Sequence, residues 1–216
     1  MKSLACKLLM FIFAASTALL FSGGVHSAAA QDTPAFDQLK SSFEKGKIFN
    51  SDFSHRYEDS FTGETDQNEG IIWIGKEQYK IESSNQVMVV DGDISRVYDG
   101  SKNRIIISDY SEEEDDFAPS RMLQGVDDSY SVQESALENG GTEIVLSSSD
   151  PFSIFEKVTI LLDSEGNPIE IRALDQAENI LVTRFSGGSF TEADEDLFTL
   201  ESPEDAELID LRYNTQ

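Results

Sequence analysis

Four strand-length stretches of this chain place hydrophobic residues at consecutive positions, and this limits the fold more than any other feature. They are Ile71 to Ile74 ("IIWI"), Val87 to Val90 ("VMVV"), Ile105 to Ile107 ("RIIIS") and Val158 to Leu162 ("KVTILLD"). Successive residues of a strand point to opposite faces, so each run makes both faces of a sheet apolar. Parallel βαβ sheets do this because helices cover both sides, but this chain has few helical segments. One face must instead close a core or an apolar cavity under the few helices available.

The pattern around these runs is that of an antiparallel meander. One helix is expected at the start: Asp32 or Thr33 can cap it, Pro34 suits its first turn, and Phe36, Leu39 and Phe43 recur at spacings of three and four. Gly46 ends it. A strand follows with Phe49, Phe53, His55 and Tyr57, then "SFTGETDQNEG" turns into Ile71 to Ile74. "YKIES", "NQVMVV" and "ISRVYD" continue the series, with Asp91-Gly92 and Asp99-Gly100 as hairpin signals. Beyond the acidic run Ser111 to Asp116, Pro119 can open a short helix carrying Met122 and Leu123. Strands are expected again at 143–146, 158–162, 169–174, 180–185 and 198–200, with "DSEGNP" as a turn between two of them. No repeat, linker or composition break divides the chain.

The first thirty residues read as an export signal rather than as part of this pattern. Lys2 and Lys7 precede an apolar stretch from Leu8 to Phe21, and Ala28-Ala29-Ala30 supplies small residues for cleavage after Ala30. The apolar stretch, about 14 residues, is shorter than the roughly 20 a spanning helix needs. "SLAC" at Ser3 to Cys6 precedes that stretch, where a lipidation box would follow it. Residues 31–216 are then one ordinary domain.

Charge and composition remove several classes of function. The chain has 41 acidic and 16 basic residues, a formal charge of −25, and cleavage would take away two lysines and no acid. Nucleic acid and anionic membrane are excluded as partners, because both require positive charge. Acids spread along the whole chain describe a solvent face, either of the kind a high-salt habitat favours or an acidic interaction surface. The only cysteine, Cys6, and His26 lie in the leader, so the mature chain is expected to have no disulfide, no thiol nucleophile and no cysteine metal site. His55 then remains as its one histidine, in a strand-like segment, and there is no G-x-S-x-G elbow, so an ordinary half-buried histidine is expected rather than a catalytic base. Neither phosphate-binding glycine motif is present. The acids at 112–116 lack the alternating order of a calcium loop and read as a solvated loop.

Taken in order, the segments resemble the LolA family of periplasmic lipoprotein carriers. "FDQLKSSFEKGKIFNSDFSHRY" is similar to that family's opening helix and F-x-x-x-F strand, with Phe49 and Phe53 at the aromatic positions. "GIIWIGKEQYKIE" is similar to its tryptophan strand, and "VVDGDISRVYD" to its V-S-D-G hairpin. "DSEGNPIEI" and "FTLESPEDAELID" resemble its D-G-x-I turn and closing segment. Two positions depart from the family: Lys76-Glu77 stands where it has Arg-Pro, and Arg96 where the hairpin has tryptophan.

The resemblance implies an α+β fold, an unclosed antiparallel β-barrel with a lid of short helices over an apolar cavity. It implies a non-enzymatic periplasmic carrier, without cofactor or metal, that binds the acyl chains of lipoproteins and passes them to the outer membrane. Its partners would be acylated lipoproteins, an inner-membrane release transporter and an outer-membrane acceptor, and the carrier itself would be a monomer. The other function implied for this fold is a lipid- or lipoprotein-sensing regulatory module. The cavity and lid are expected from Phe36, Leu39, Phe43, Phe53, Ile72, Ile74, Tyr79, Met122 and Leu123, with Lys76 in the position of the arginine that fastens the lid. By strand alternation Ile72, Ile74 and Lys76 share the face toward the hollow, and Ile71 and Trp73 the convex face.

Overall fold

The structure, a computed structural model, describes residues 32–111, 115, 117, 119–194, 196–201 and 203–212. The expected export signal and most of the acidic run at 112–116 lie outside them.

The chain enters through an 11-residue helix, α1 (Pro34–Glu44), with proline at its N-terminal end and Phe36, Leu39 and Phe43 buried along one stripe. Gly46, at φ +78°, turns the chain out of it. A first meander follows: β1 (Ile48–Glu58), β2 (Thr65–Ile74), β3 (Gln78–Glu82), β4 (Gln86–Asp91), β5 (Ile94–Asp99) and β6 (Arg104–Asp109). A short helix, α2 (Pro119–Gln124), leads to a second: β7 (Ser131–Ala136), β8 (Thr142–Ser147), β9 (Phe155–Leu162), β10 (Pro168–Asp175) and β11 (Ile180–Thr191). Strand β11 pairs antiparallel with β1, which joins the two meanders. A final strand, β12 (Glu207–Asp210), pairs in parallel with β6. The result is a single twelve-stranded sheet in the order β12-β6-β5-β4-β3-β2-β1-β11-β10-β9-β8-β7, whose edges β12 and β7 do not meet. The barrel is unclosed.

The seam between β1 and β11 is where backbone chemistry bends the sheet. The register shifts between Asn50 and Asp52, and the Ser51 hydroxyl fills the gap, accepting from the Ser186 N–H at 3.0 Å. Opposite lies Gly188, over which the Phe49 ring packs: a Cβ there would stand 2.4 Å from Phe49 Cζ. Bulges and glycines at such points let a sheet coil. Gly188→Val is therefore expected to cost about 1–3 kcal/mol by overpacking, to be read as a lower urea midpoint at unchanged slope.

The consecutive apolar runs are explained by apolar material on both faces. Inward lie Ile72, Ile74, Phe49, Phe53, Ile144, Leu146, Val158, Ile160 and Leu162, in one buried cluster with α1 and α2. Outward, a smaller cluster forms from Ile48, Val89 and Phe198, with Trp73, Val87, Leu197 and Leu200 packed against it. Ile71 is exposed, while Lys80 Nζ sits 5.4 Å from the Trp73 ring centroid and covers it.

The structure departs from the sequence expectations at four elements, one of them β12, where no strand was expected. Residues 198–200, expected as a strand, form a turn and extended segment. Asp194 and Asp196 fold that segment through side-chain and backbone bonds to Asp196 N and Thr199 Oγ1, so Phe198 is spent on covering the convex face. Strand β7, "SVQESA", has one large apolar residue and no readable alternation; it is a polar sheet edge, which discourages pairing with other chains. Strand β2 begins at Thr65, and its polar first half pairs fully with β1.

Candidate functional site: the lidded concave face

All nine residues expected at the cavity and lid converge on the concave side of the sheet. Phe36, Leu39 and Phe43 descend from α1, Met122 and Leu123 from α2, and Phe53, Ile72, Ile74 and Tyr79 rise from the sheet; each is at most 5% exposed. They share one continuous cluster. The apolar side chains of the two helices pack directly against the wall in this cluster. Burying Phe36, Leu39, Phe43, Met122 and Leu123 is favourable without a ligand, each side chain gaining roughly 1.5–3 kcal/mol. The lid is closed on the wall.

Polar bonds hold both helices at their rims. Glu134, on β7, reaches the start of α1, where its carboxylate accepts from the Ala35 N–H at 3.1 Å and the Phe36 N–H at 3.2 Å. A carboxylate there satisfies two of the helix's unpaired donors and faces the positive end of its dipole. The expected Asp32 or Thr33 cap is not what the structure uses: Thr33 is the N-cap residue but makes no side-chain bond. At α2, the Gln124 amide donates to the Lys76 carbonyl at 2.7 Å. Lys76 thus lies at the lid's rim, but the bond there runs through its backbone, and its side chain is exposed.

The third attachment is a carboxylate shared by two tyrosines. Asp115 Oδ2 accepts from the Tyr79 hydroxyl at 2.7 Å and from the Tyr110 hydroxyl at 2.9 Å, while Oδ1 accepts from the Phe117 N–H at 3.0 Å. Burial, with the Asp115 charge beside it, pushes the Tyr79 hydroxyl far above the usual tyrosine range. Tyr79 is therefore a permanent donor. Phe117 follows into the interior, its ring 6.3 Å from Phe53, 6.2 Å from Tyr79 and edge-on to His55 at 4.7 Å. These bonds anchor the segment that leads into α2.

His55 has a packing role in this arrangement. Its Nδ1 lies 2.9 Å from Thr183 Oγ1. Burial lowers its pKa below the ordinary value, against smaller opposing effects of Asp66 and Asp115. The neutral ring belongs to the wall.

Between the two helices the surface keeps one seam, a depression of about 380 Å³ lined by Phe36, Val126, Tyr130 and Val132 with Lys40, Lys76 and Arg121 among its polar rim. The helices touch closely here: Gly125, at φ +115°, leaves room for Phe36, whose Cζ would lie 3.2 Å from a Cβ at that position. Three acids, Glu77, Asp127 and Asp128, line the same opening, so its charges balance. Arg121 is partly neutralised by Asp127 at 3.7 Å, and Lys40 lies over the Phe36 ring.

Sequence reasoning missed Asp115, Phe117, Gln124 and Glu134. Asp115 is one acid within an acidic run, and nothing local marks it as turned inward. Glu134 sits in a polar strand 99 residues from the amide it caps, a pairing that only the closed chain defines.

No protein-family model matches the sequence, and no curated protein matches it. Among solved structures, the chain is similar to an uncharacterized conserved protein from Thermus thermophilus, with 12% identity and a TM-score of 0.50 over 81% of this chain and 98% of that one. A LolA superfamily protein from Nitrosomonas europaea aligns at 11% identity and a TM-score of 0.41, over 76% and 97% of the two chains. A putative outer membrane lipoprotein-sorting protein domain from Vibrio parahaemolyticus aligns at 10% and 0.40, over 76% and 94%. The first likeness shows a shared fold. The architecture the chain adopts is an unclosed antiparallel sheet with short helices over its apolar face, as the resemblance in sequence implied.

Proposed function

We propose that this protein is an exported, non-enzymatic carrier that takes up the acyl chains of lipoproteins between the sheet and its helices and gives them up at the outer membrane. The observation that carries this reading is the cover. Among the described residues, a wide apolar concave wall is closed by helices of 11 and 6 residues, with polar bonds at their rims, rather than by a second sheet. Such a cover can lift as a unit without breaking a strand ladder. On lifting, the wall exchanges Phe36, Leu39, Phe43, Met122 and Leu123 for acyl methylenes worth roughly 0.8 kcal/mol each, so the exchange is nearly balanced and reversible. A carrier must release what it binds, and a filled resting interior supplies the competitor that makes release possible.

The test is chemical. Protein purified from its native envelope and analysed by mass spectrometry should carry lipid or lipopeptide, and the stripped protein should bind a synthetic triacylated lipopeptide with one-to-one stoichiometry. A stripped protein that binds no acylated probe, at any concentration below the probe's own aggregation, would reject the carrier.

A further inference from the structure

The least expected exposure in the molecule lies away from the lid. Phe61 is 96% exposed and Phe152 93% exposed, while most other large apolar side chains of the described residues are covered. Phe61 lies in the loop between β1 and β2, and Phe152 in the loop between β8 and β9. Because β1 runs antiparallel to β11, and β9 to β10, both loops stand on the same rim of the sheet as the β10–β11 turn. Hydrogen bonds join the three: Ser60 bonds to Ala177 O at 2.8 Å and to Asn179 Oδ1 at 3.0 Å, and Gln176 donates to Asp150 O at 3.4 Å.

The two tips are built alike. Asp59 Oδ1 accepts from the Phe61 N–H at 2.9 Å, and Asp150 Oδ1 from the Phe152 N–H at 2.9 Å, so "DSF" and "DPF" each fix the phenylalanine two residues after the aspartate. Those backbone donors are already satisfied, and the ring can leave water without stranding them. An exposed aromatic held in this way is not the result of a slack loop. Two separate tips, rather than one continuous apolar patch, suit a soft apolar medium better than the packed centre of a protein interface.

Charge then selects the medium. The segments 59–64, 148–154 and 175–180 contain Asp59, Glu64, Asp150, Asp175 and Glu178 and neither lysine nor arginine. An anionic bilayer would repel this rim. A zwitterionic headgroup of the choline type turns its ammonium outward, toward such carboxylates. We propose that this rim docks reversibly on neutral, zwitterionic lipid surfaces, with Phe61 and Phe152 entering the interfacial layer. Interfacial binding scales with the apolar area buried and with the sign of the surface charge, so two rings give weak, reversible attachment that anionic lipid diminishes. The inference does not rest on acyl binding under the lid: either can fail without the other.

The experiment is co-sedimentation of the protein with phosphatidylcholine vesicles, alone and mixed with phosphatidylglycerol, for the native chain, Phe61→Ser, Phe152→Ser and the double variant. The native protein should partition onto phosphatidylcholine vesicles, the double variant at least tenfold less, the single variants between them, and phosphatidylglycerol should weaken native binding. Because both rings lie in solvent, the variants should melt with the native protein, which separates lost docking from lost folding. Absence of native binding to phosphatidylcholine, equal binding by the double variant, or preference for the anionic vesicles would each overturn the proposal, the first leaving the rim to a protein partner.

Discussion

Phe43→Glu is expected to unfold the protein rather than leave a folded chain with a damaged cavity. Phe43 is fully buried, edge-on to Phe190 at a centroid distance of 5.3 Å, and sits on the stripe that docks α1 onto the sheet. Removing the ring costs about 3–5 kcal/mol by the usual large-to-small penalty. Placing a carboxylate in the same apolar site adds several more unless it is protonated. A domain of this size has only about 5–15 kcal/mol in total, so the variant should lose its near-ultraviolet circular dichroism and its cooperative urea transition. Phe43→Leu keeps most of the volume and is the control; it should fold with a modestly lower midpoint. A Phe43→Glu protein with a native-like transition would mean that α1 stands away from the wall in solution, contrary to the contact of Phe43 with Phe190.

Asp115→Ala should do the reverse of what loss of a binding-site residue usually does: lower stability and raise affinity for an acyl probe. The Tyr79 ring is 1% exposed and its hydroxyl donates to Asp115, so removing the carboxylate takes away its charged acceptor at a cost of about 1–3 kcal/mol. That cost falls mainly on the closed state, because in an opened lid the hydroxyl can reach water. If the closed state loses about 2 kcal/mol relative to the open one, the open fraction rises roughly thirtyfold, and apparent affinity rises by the same factor while the open form remains the minority. Calorimetry gives the melting temperature, and displacement of a fluorescent fatty acid gives the affinity. A lower melting temperature with unchanged affinity would mean that the latch serves only the fold.

Gly125 restrains the same lid from the other side. Its φ of +115° and the nearness of the Phe36 ring make the α1–α2 contact depend on the absence of a side chain. The two attachments differ in kind, one polar and one steric.

Local geometry explains which residues could be placed from sequence. Ile72, Ile74 and Trp73 are assigned to opposite faces by their spacing alone, because strand geometry alternates every residue regardless of what lies above or below. Phe36, Leu39 and Phe43 mark a buried helical stripe for the equivalent reason at a period of 3.6. Phe198 reads as strand because its apolar neighbours fit a strand and a covering segment equally well, and β7 escapes notice because an edge strand facing solvent needs no apolar pattern. The roles of Asp115, Gln124 and Glu134 were not legible, since each depends on a partner far away in the chain or in the opposite layer.

Taken alone, the sequence determined the meander, the two apolar faces of the central strands, the lid helices and the acid-dominated exterior, all of which follow from local periodicity and composition. Only the tertiary structure decided that the two meanders join through β1 and β11, that the concave wall is filled by the protein's own helices, and which polar groups hold them there. Periodicity says which side of an element is apolar; whether that side meets another element, a ligand or nothing depends on how the whole chain closes, and no local pattern contains that information.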